Sequence, residues 1–258
     1  MAREEGSRSP GTRLAYGFHA VSARLRSRPD TVKMLHVAEG REDARLRALL
    51  TLANERGVKV VFASGDRLDR MLPGVRHQGV VGEVLVEALP RHLDDVLDAV
   101  REDPLVLALD GVQDPHNLGA CLRSADAMGV HAVIAPKDRA VGITPTVEKV
   151  ASGATESVPY LMVTNLAREL DGLKDRGLLA VGLAGEADSD LPTQPLAGPV
   201  VLVMGAEGSG LRRLTRERCD ALVRIPMFGQ VESLNVSVAA GICLYEVRRQ
   251  RTAVKEKD

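Results

Sequence analysis

Three short segments carry side chains whose types and spacing could do chemistry. The first runs from Leu109 to Ala125, LDGVQDPHNLGACLRSA. It reads as the end of a strand, a tight turn and a helix that Asp114 or Asn117 can cap. On that helix Leu118, Cys121, Leu122, Ala125 and Met128 make one apolar face. Arg123 lies roughly opposite, beside Gly119, Ala120 and Ala127, small residues that leave a ligand room to approach the backbone. The second segment, Val200 to Leu211, is an apolar run followed by Gly205-Ala206-Glu207-Gly208-Ser209-Gly210. Its spacing is neither the dinucleotide glycine pattern nor a phosphate loop, and Glu207 would repel a pyrophosphate. A glycine loop with one carboxylate suits a ligand carrying a hydroxyl, an amine or a positive centre. The third segment, Ile225 to Val238, places Ser233 where it can cap the last helix, whose N-terminus exposes backbone N–H groups. Taken singly, each segment also reads as an ordinary strand-to-helix turn or capped helix.

The remaining chemistry-bearing residues form no constellation. Six His are scattered without an H-E-x-x-H pair, so no metal site is expected. Cys121, Cys219 and Cys243 contain no C-x-x-C pair, which argues against a disulfide framework, and Cys121 falls on an apolar helix face, as core rather than nucleophile. There is no G-x-S-x-G elbow.

The elements that must position the three segments follow from the apolar pattern. Runs at 105–109, 132–135, 158–163, 178–183, 200–204 and 221–225 alternate with helical spacing. They are apolar throughout, as parallel strands covered on both faces are, so an open α/β sheet of about six strands is expected. Ligands bind such sheets at the carboxyl ends of the strands, where all three segments lie. A final helix is expected over 235–249, buried at its start and exposed near Arg248, Arg249 and Arg251. Ahead of this lies a smaller α/β unit with strands at 32–37, 58–62 and 79–86 and a helix between Arg41 and Arg56. The expected division is a disordered tail over 1–12, a first domain over 13–86, a linker over 87–95 containing Pro90, a second domain over 96–251 and a charged tail over 252–258.

The charge is unevenly shared. Residues 1–80 hold 15 Lys and Arg against 9 Asp and Glu, a net of +6, and the remainder holds 19 against 26, a net of −7. The whole-chain charge of −1 therefore hides a basic module, one rich in Arg, which suits bidentate phosphate contact. With six aromatic residues in 258, stacking is a minor contributor and phosphate contact would dominate any nucleic-acid binding. No apolar run is long enough to span a membrane, and the polar start MAREEGSRSPGTR is not a secretory signal, so the cytoplasm is the expected compartment.

In order, N-L-G-A-x-x-R-S-A (117–125), V-M-G-A-E-G-S-G-L (203–211) and I-P-M-x-G-x-V-E-S-L-N-V-S-V-A (225–239) closely resemble the three motifs of the SpoU/TrmH family, in the SPOUT superfamily of S-adenosylmethionine-dependent RNA methyltransferases. Tyr16 to Val21 (YGFHAV) and Arg76 to Val81 (RHQGVV) resemble the substrate-binding domain of the RlmB-type 23S rRNA (guanosine-2′-O-)methyltransferases. The resemblance implies a SPOUT-type open parallel sheet with a carboxyl-terminal trefoil knot, a small amino-terminal α/β RNA-binding domain, and a homodimer with its active site near the subunit interface. It implies S-adenosylmethionine held by Met204, Gly205, Gly208, Ile225, Met227, Ser233 and Leu234. It implies catalysis of ribose 2′-O-methylation of ribosomal RNA by Asn117, Arg123, Glu207, Ser233 and Asn235. Arg123 would stabilise the developing 2′-oxyanion, because a guanidinium is too weak an acid to serve as proton acceptor. Arg13, His19, Arg76, His77 and Arg123 are the expected RNA contacts. Methylation of transfer RNA and a non-catalytic role in ribosome assembly are the alternatives.

Overall fold

The computed structural model describes residues 11–86 and 89–255. It divides into two units, Met1–Ala88 and Leu89–Asp258. The expected disordered tail lies, for residues 1–10, outside the described residues. Gly11 and Thr12, which that tail included, begin a strand.

The first unit is a four-stranded sheet with helices packed on it. Its elements are β1 (Gly11–Tyr16), α1 (Phe18–Ser27), β2 (Val32–Ala38), α2 (Ala44–Glu55), β3 (Val60–Ala63), α3 (Gly65–Met71) and β4 (Val80–Val86). The strand order is β1-β4-β2-β3. β4 pairs antiparallel with both β1 and β2, and β2 pairs parallel with β3. Phe18, Val21 and Leu25 of α1 and Leu46, Leu49 and Ala53 of α2 recur at helical spacing and are buried with Leu35, Val37 and Val80 of the sheet. Asp43 caps α2 by accepting from the Leu46 N–H at 2.9 Å; that bond, and the Arg41 guanidinium beside it, hold its carboxyl below the usual range.

The second unit contains α4 (Leu93–Ala99), β5 (Leu105–Asp110), α5 (Pro115–Ala127), β6 (Ala132–Pro136), α6 (Pro145–Ala151), β7 (Tyr160–Val163), α7 (Leu166–Asp175), β8 (Leu179–Leu183), β9 (Ser189–Asp190), β10 (Val200–Gly205), α8 (Arg213–Arg218), β11 (Ala221–Arg224) and α9 (Val236–Lys255). The α/β fold expected from the sequence is the one found. The sheet is parallel throughout, in the order β7-β6-β5-β10-β8-β11-β9. It has seven strands rather than about six, the seventh being the two-residue β9 beside β11. The unbroken apolar runs have a simple cause. Leu105, Leu107 and Leu109 of β5 enter one core cluster, and Val106 and Ala108 enter the cluster on the other face. β10 divides in the same way, Val200, Leu202 and Met204 against Val201 and Val203. No helix among the described residues is long and apolar enough to cross a membrane.

Several local expectations change. Gly119 is not open space beside Arg123: a Cβ there would lie 2.7 Å from the Cβ of Val150, so the glycine allows α6 to approach α5 closely. The last helix begins at Val236 and continues to Lys255, through most of the expected charged tail; residues 256–258 lie outside the described residues. Arg251 is buried, not exposed, because its guanidinium donates to the carbonyls of Asp103, Pro104 and Gly198 at 2.8, 3.0 and 2.8 Å, at the start of β5 and just ahead of β10. Arg248 likewise bonds the carbonyls of Met128 and Gly129. α4 opens inside the expected linker, at Leu93.

Candidate active site

The carboxyl ends of β5, β10 and β11 carry the three motif segments, as sheet geometry requires. After β5 the chain turns through Gly111, and Asp114 caps α5 by accepting from the N–H groups of His116 (2.6 Å) and Asn117 (3.2 Å), with Pro115 in the first helical turn. Asn117 thus sits in the first turn with its side chain available. After β11 and an irregular stretch, Asn235, not Ser233, caps α9: its Oδ1 accepts from the Ser237 N–H at 2.9 Å and from the Ser237 hydroxyl at 2.6 Å. Both residue types cap helices well, so local chemistry did not choose between them. The Nδ2 of Asn235 donates to Asn117 Oδ1 at 2.9 Å and ties the first segment to the third.

The glycine loop after β10 closes on itself. Ala206 and Gly210 exchange two backbone hydrogen bonds, 3.2 and 2.9 Å. A Cβ on Gly205 would lie 2.2 Å from the Gly210 carbonyl carbon, so no other residue fits there. The far end of the loop is anchored by Asp110, the last residue of β5, whose carboxylate is fully buried. It accepts from the Arg212 N–H at 2.9 Å and pairs with the Arg212 Nε. Neither residue stands out in the sequence reading, although an Asp at a strand end and an Arg two residues after a glycine loop are visible signals.

Two clefts result. The first, of about 440 Å³, is lined by all seven expected cofactor residues, Met204, Gly205, Gly208, Ile225, Met227, Ser233 and Leu234. Leu183, Ile225, Met227 and Leu234 give it apolar wall, and Glu186, Glu207 and Glu232 give it carboxylates. Glu186 is held below the usual carboxyl range by its own backbone N–H and by the Arg216 guanidinium. The second cleft, of about 520 Å³, has Asp110 and Gly111 at the strand end and is lined by Asn117, Glu207, Arg139 and Arg212 among others. Ala206, Glu207 and Val236 line both. The structure therefore brings Asn117, Glu207, Ser233 and Asn235 to one region. Arg123 is not with them: it is exposed on the solvent side of α5 with Ala127 and lines neither cleft. Cys121 is core, its thiol pushed up to about 12 by burial.

In the first unit the two motif stretches are joined. The Gly17 N–H donates to the Val80 carbonyl at 3.0 Å, and Tyr16 pairs with Val81 across β1 and β4. Arg13, His19 and Arg76 are exposed. His77 has both ring nitrogens engaged, Nδ1 accepting from the Gly79 N–H at 3.0 Å and Nε2 donating to Asp69 at 2.9 Å. It holds the turn. Arg41, 4.7 Å over the Phe18 ring and bonded to the Gln78 carbonyl, adds a cation that the sequence did not single out.

Residues 104–245 match the SpoU rRNA methylase family, and residues 14–85 match the RNA 2′-O ribose methyltransferase substrate-binding domain. The chain belongs to the SpoU rRNA methylase family. A SpoU relative from Neisseria meningitidis serogroup B, a 23S rRNA (guanosine-2′-O-)-methyltransferase RlmB, is 55% identical over 245 residues, covering 95% of this chain and 98% of the relative. The RlmB of Ralstonia nicotianae is 54% identical over 95% of this chain and 99% of its own length. Among solved structures, the SpoU methyltransferase AviRb from Streptomyces viridochromogenes in complex with AdoMet is similar, with TM-score 0.63 and 29% identity over 94% of this chain and 92% of that one. The family expected from the three motifs is therefore the family found.

Proposed function

We propose that the protein transfers a methyl group from S-adenosylmethionine to the ribose 2′-hydroxyl of a guanosine in 23S ribosomal RNA, in the cytoplasm. One observation carries this reading: the seven residues expected around the cofactor line a single cleft, and that cleft shares Glu207 with a second cleft holding Asn117. The relatives named RlmB, similar over nearly the whole chain, support the 23S guanosine as acceptor.

The first cleft fits the cofactor. Its volume falls in the range of small-molecule sites, its apolar wall suits an adenine, and its carboxylates suit a cationic sulfur and an amino group. When bound, S-adenosylmethionine supplies a methyl group already activated on a sulfonium. Gly208 and Gly210 carry no side chain and have nothing within 4 Å of an added Cβ, so the loop can offer its backbone there at close range.

In the second cleft, Asn117 has its Oδ1 taken by Asn235, which leaves its Nδ2 hydrogens to donate to a ribose oxygen. Glu207, at the border of the two clefts, orients the hydroxyl by accepting from it. Arg123 provides electrostatic stabilisation of the developing oxyanion from the partner subunit of a homodimer. Its exposed position on α5 supports that arrangement, as do Val238, Ile242 and Tyr245, exposed at helical spacing on α9, the helix packed against α5. The trefoil knot of the carboxyl-terminal segment belongs to the same reading, which the match of residues 104–245 to the SpoU rRNA methylase family supports. Arg13, His19 and Arg76 of the first unit hold the RNA. The test is transfer of labelled methyl groups to isolated 23S, 16S and transfer RNA: label in 23S alone is expected, and label in transfer RNA alone would assign the enzyme a different acceptor.

A further inference from the structure

The second cleft contains a cation with no assigned task. Asp110 and Arg212 neutralise each other, and Asp114 is satisfied by two N–H groups of α5. Arg139 lines the same cleft, is exposed, and makes no hydrogen bond or ion pair among the described residues. Its loop, after β6, is pinned: the Val141 N–H donates to the Val112 carbonyl at 3.2 Å, and the Tyr160 hydroxyl donates to the Val141 carbonyl at 2.8 Å. Arg139 itself has φ +59°, a left-handed conformation that Gly or Asn would adopt at lower cost. The turn does not call for an arginine, whereas an anion in the cleft does.

We infer that Arg139 is a phosphate-binding residue for the acceptor strand, gripping the phosphodiester next to the nucleotide that enters the cleft. The inference rests on the reading of this cleft as the acceptor site. A guanidinium offers a phosphate two parallel N–H donors, and a pinned loop reduces the ordering that binding requires. Its neighbours Asn117 and Glu207 meet the ribose, so the cleft presents one cation for the charged backbone and neutral or acidic groups for the hydroxyl.

Arg139→Asn tests this, because Asn tolerates the left-handed backbone while removing the charge. With deproteinised 23S rRNA as probe, it is expected to raise KM for RNA about tenfold, leave S-adenosylmethionine affinity unchanged, and reduce the slope of log K against log salt by about 0.7–0.9, one phosphate's worth. Arg139→Lys should recover part of the KM and the full salt slope. A wild-type KM and salt slope in Arg139→Asn would overturn the assignment, as would a parallel loss of cofactor affinity. If the wild-type protein binds S-adenosylmethionine but methylates no RNA, the acceptor reading fails first and the role of Arg139 falls with it.

Discussion

Asn235 donates to Asn117 across 118 positions of sequence, 2.9 Å from Nδ2 to Oδ1, while its own oxygen caps α9. One side chain thus fixes the start of a helix and orients the Asn117 amide that lines the second cleft. A double-mutant cycle with Asn117→Ala and Asn235→Ala should give a coupling of about 0.5–1.5 kcal/mol in stability. Asn235→Ala alone should cost about 1 kcal/mol more than Asn117→Ala through loss of the cap. Both single variants should lose methyl transfer while retaining cofactor binding, measured by calorimetric titration.

The glycine loop separates two kinds of glycine. Gly205→Ala places a methyl 2.2 Å from backbone and cannot be accommodated without moving the loop. Gly208 has φ +83° with nothing within 4 Å of an added Cβ, so Gly208→Ala costs only backbone strain, about 1–2 kcal/mol. S-adenosylmethionine affinity should fall beyond detection in the first and by less than tenfold in the second.

Arg251 closes the edge of the core by bonding three carbonyls from two separate segments. Arg251→Ala leaves those acceptors without their partner and should destabilise the second unit by about 2–4 kcal/mol. A fall in Tm of roughly 5–15 °C is expected by thermal unfolding.

His131 is kept neutral in the fold. Burial lowers its pKa below 6.5, the positive charges of Arg248 and Arg251 act in the same direction, and Glu102 opposes them. Its Nδ1 accepts from the Leu105 N–H at 2.9 Å, a bond that protonation would break. The unfolded chain takes up the proton first, so this contribution to stability is fully present above pH 6.5 and is lost as pH falls through the lower folded-state value. Tm measured from pH 8 to pH 5 should drop below about pH 6.5, and less so in His131→Gln.

Much of the fold was legible because β5 and β10 are buried on both faces and so read as unbroken apolar runs. β9 was not, since two residues carry no periodicity. The first residues of β1, Gly11 and Thr12, read as tail because they are small or polar and their partners on β4, Val86 and Leu85, lie far along the chain. The seven residues that the resemblance assigns to a cofactor line one cleft because they sit on loops at the ends of neighbouring strands. The long-range pairs were not legible. Asn117 with Asn235, Asp110 with Arg212 and Arg251 with three carbonyls depend on the folded sheet, and each residue read locally as a cap, a strand end or an exposed charge. Arg139 sits in a loop whose sequence gives no sign of which cleft it meets.

In the proposed reaction, Glu207 at the shared border brings a methyl donor to a ribose hydroxyl. The most direct measurement is nucleoside analysis of 23S rRNA after incubation with the protein and methyl-labelled S-adenosylmethionine. The expected result is label in 2′-O-methylguanosine, recovered within an alkali-resistant dinucleotide. Label on a base, or no label from folded protein that binds S-adenosylmethionine, would contradict it.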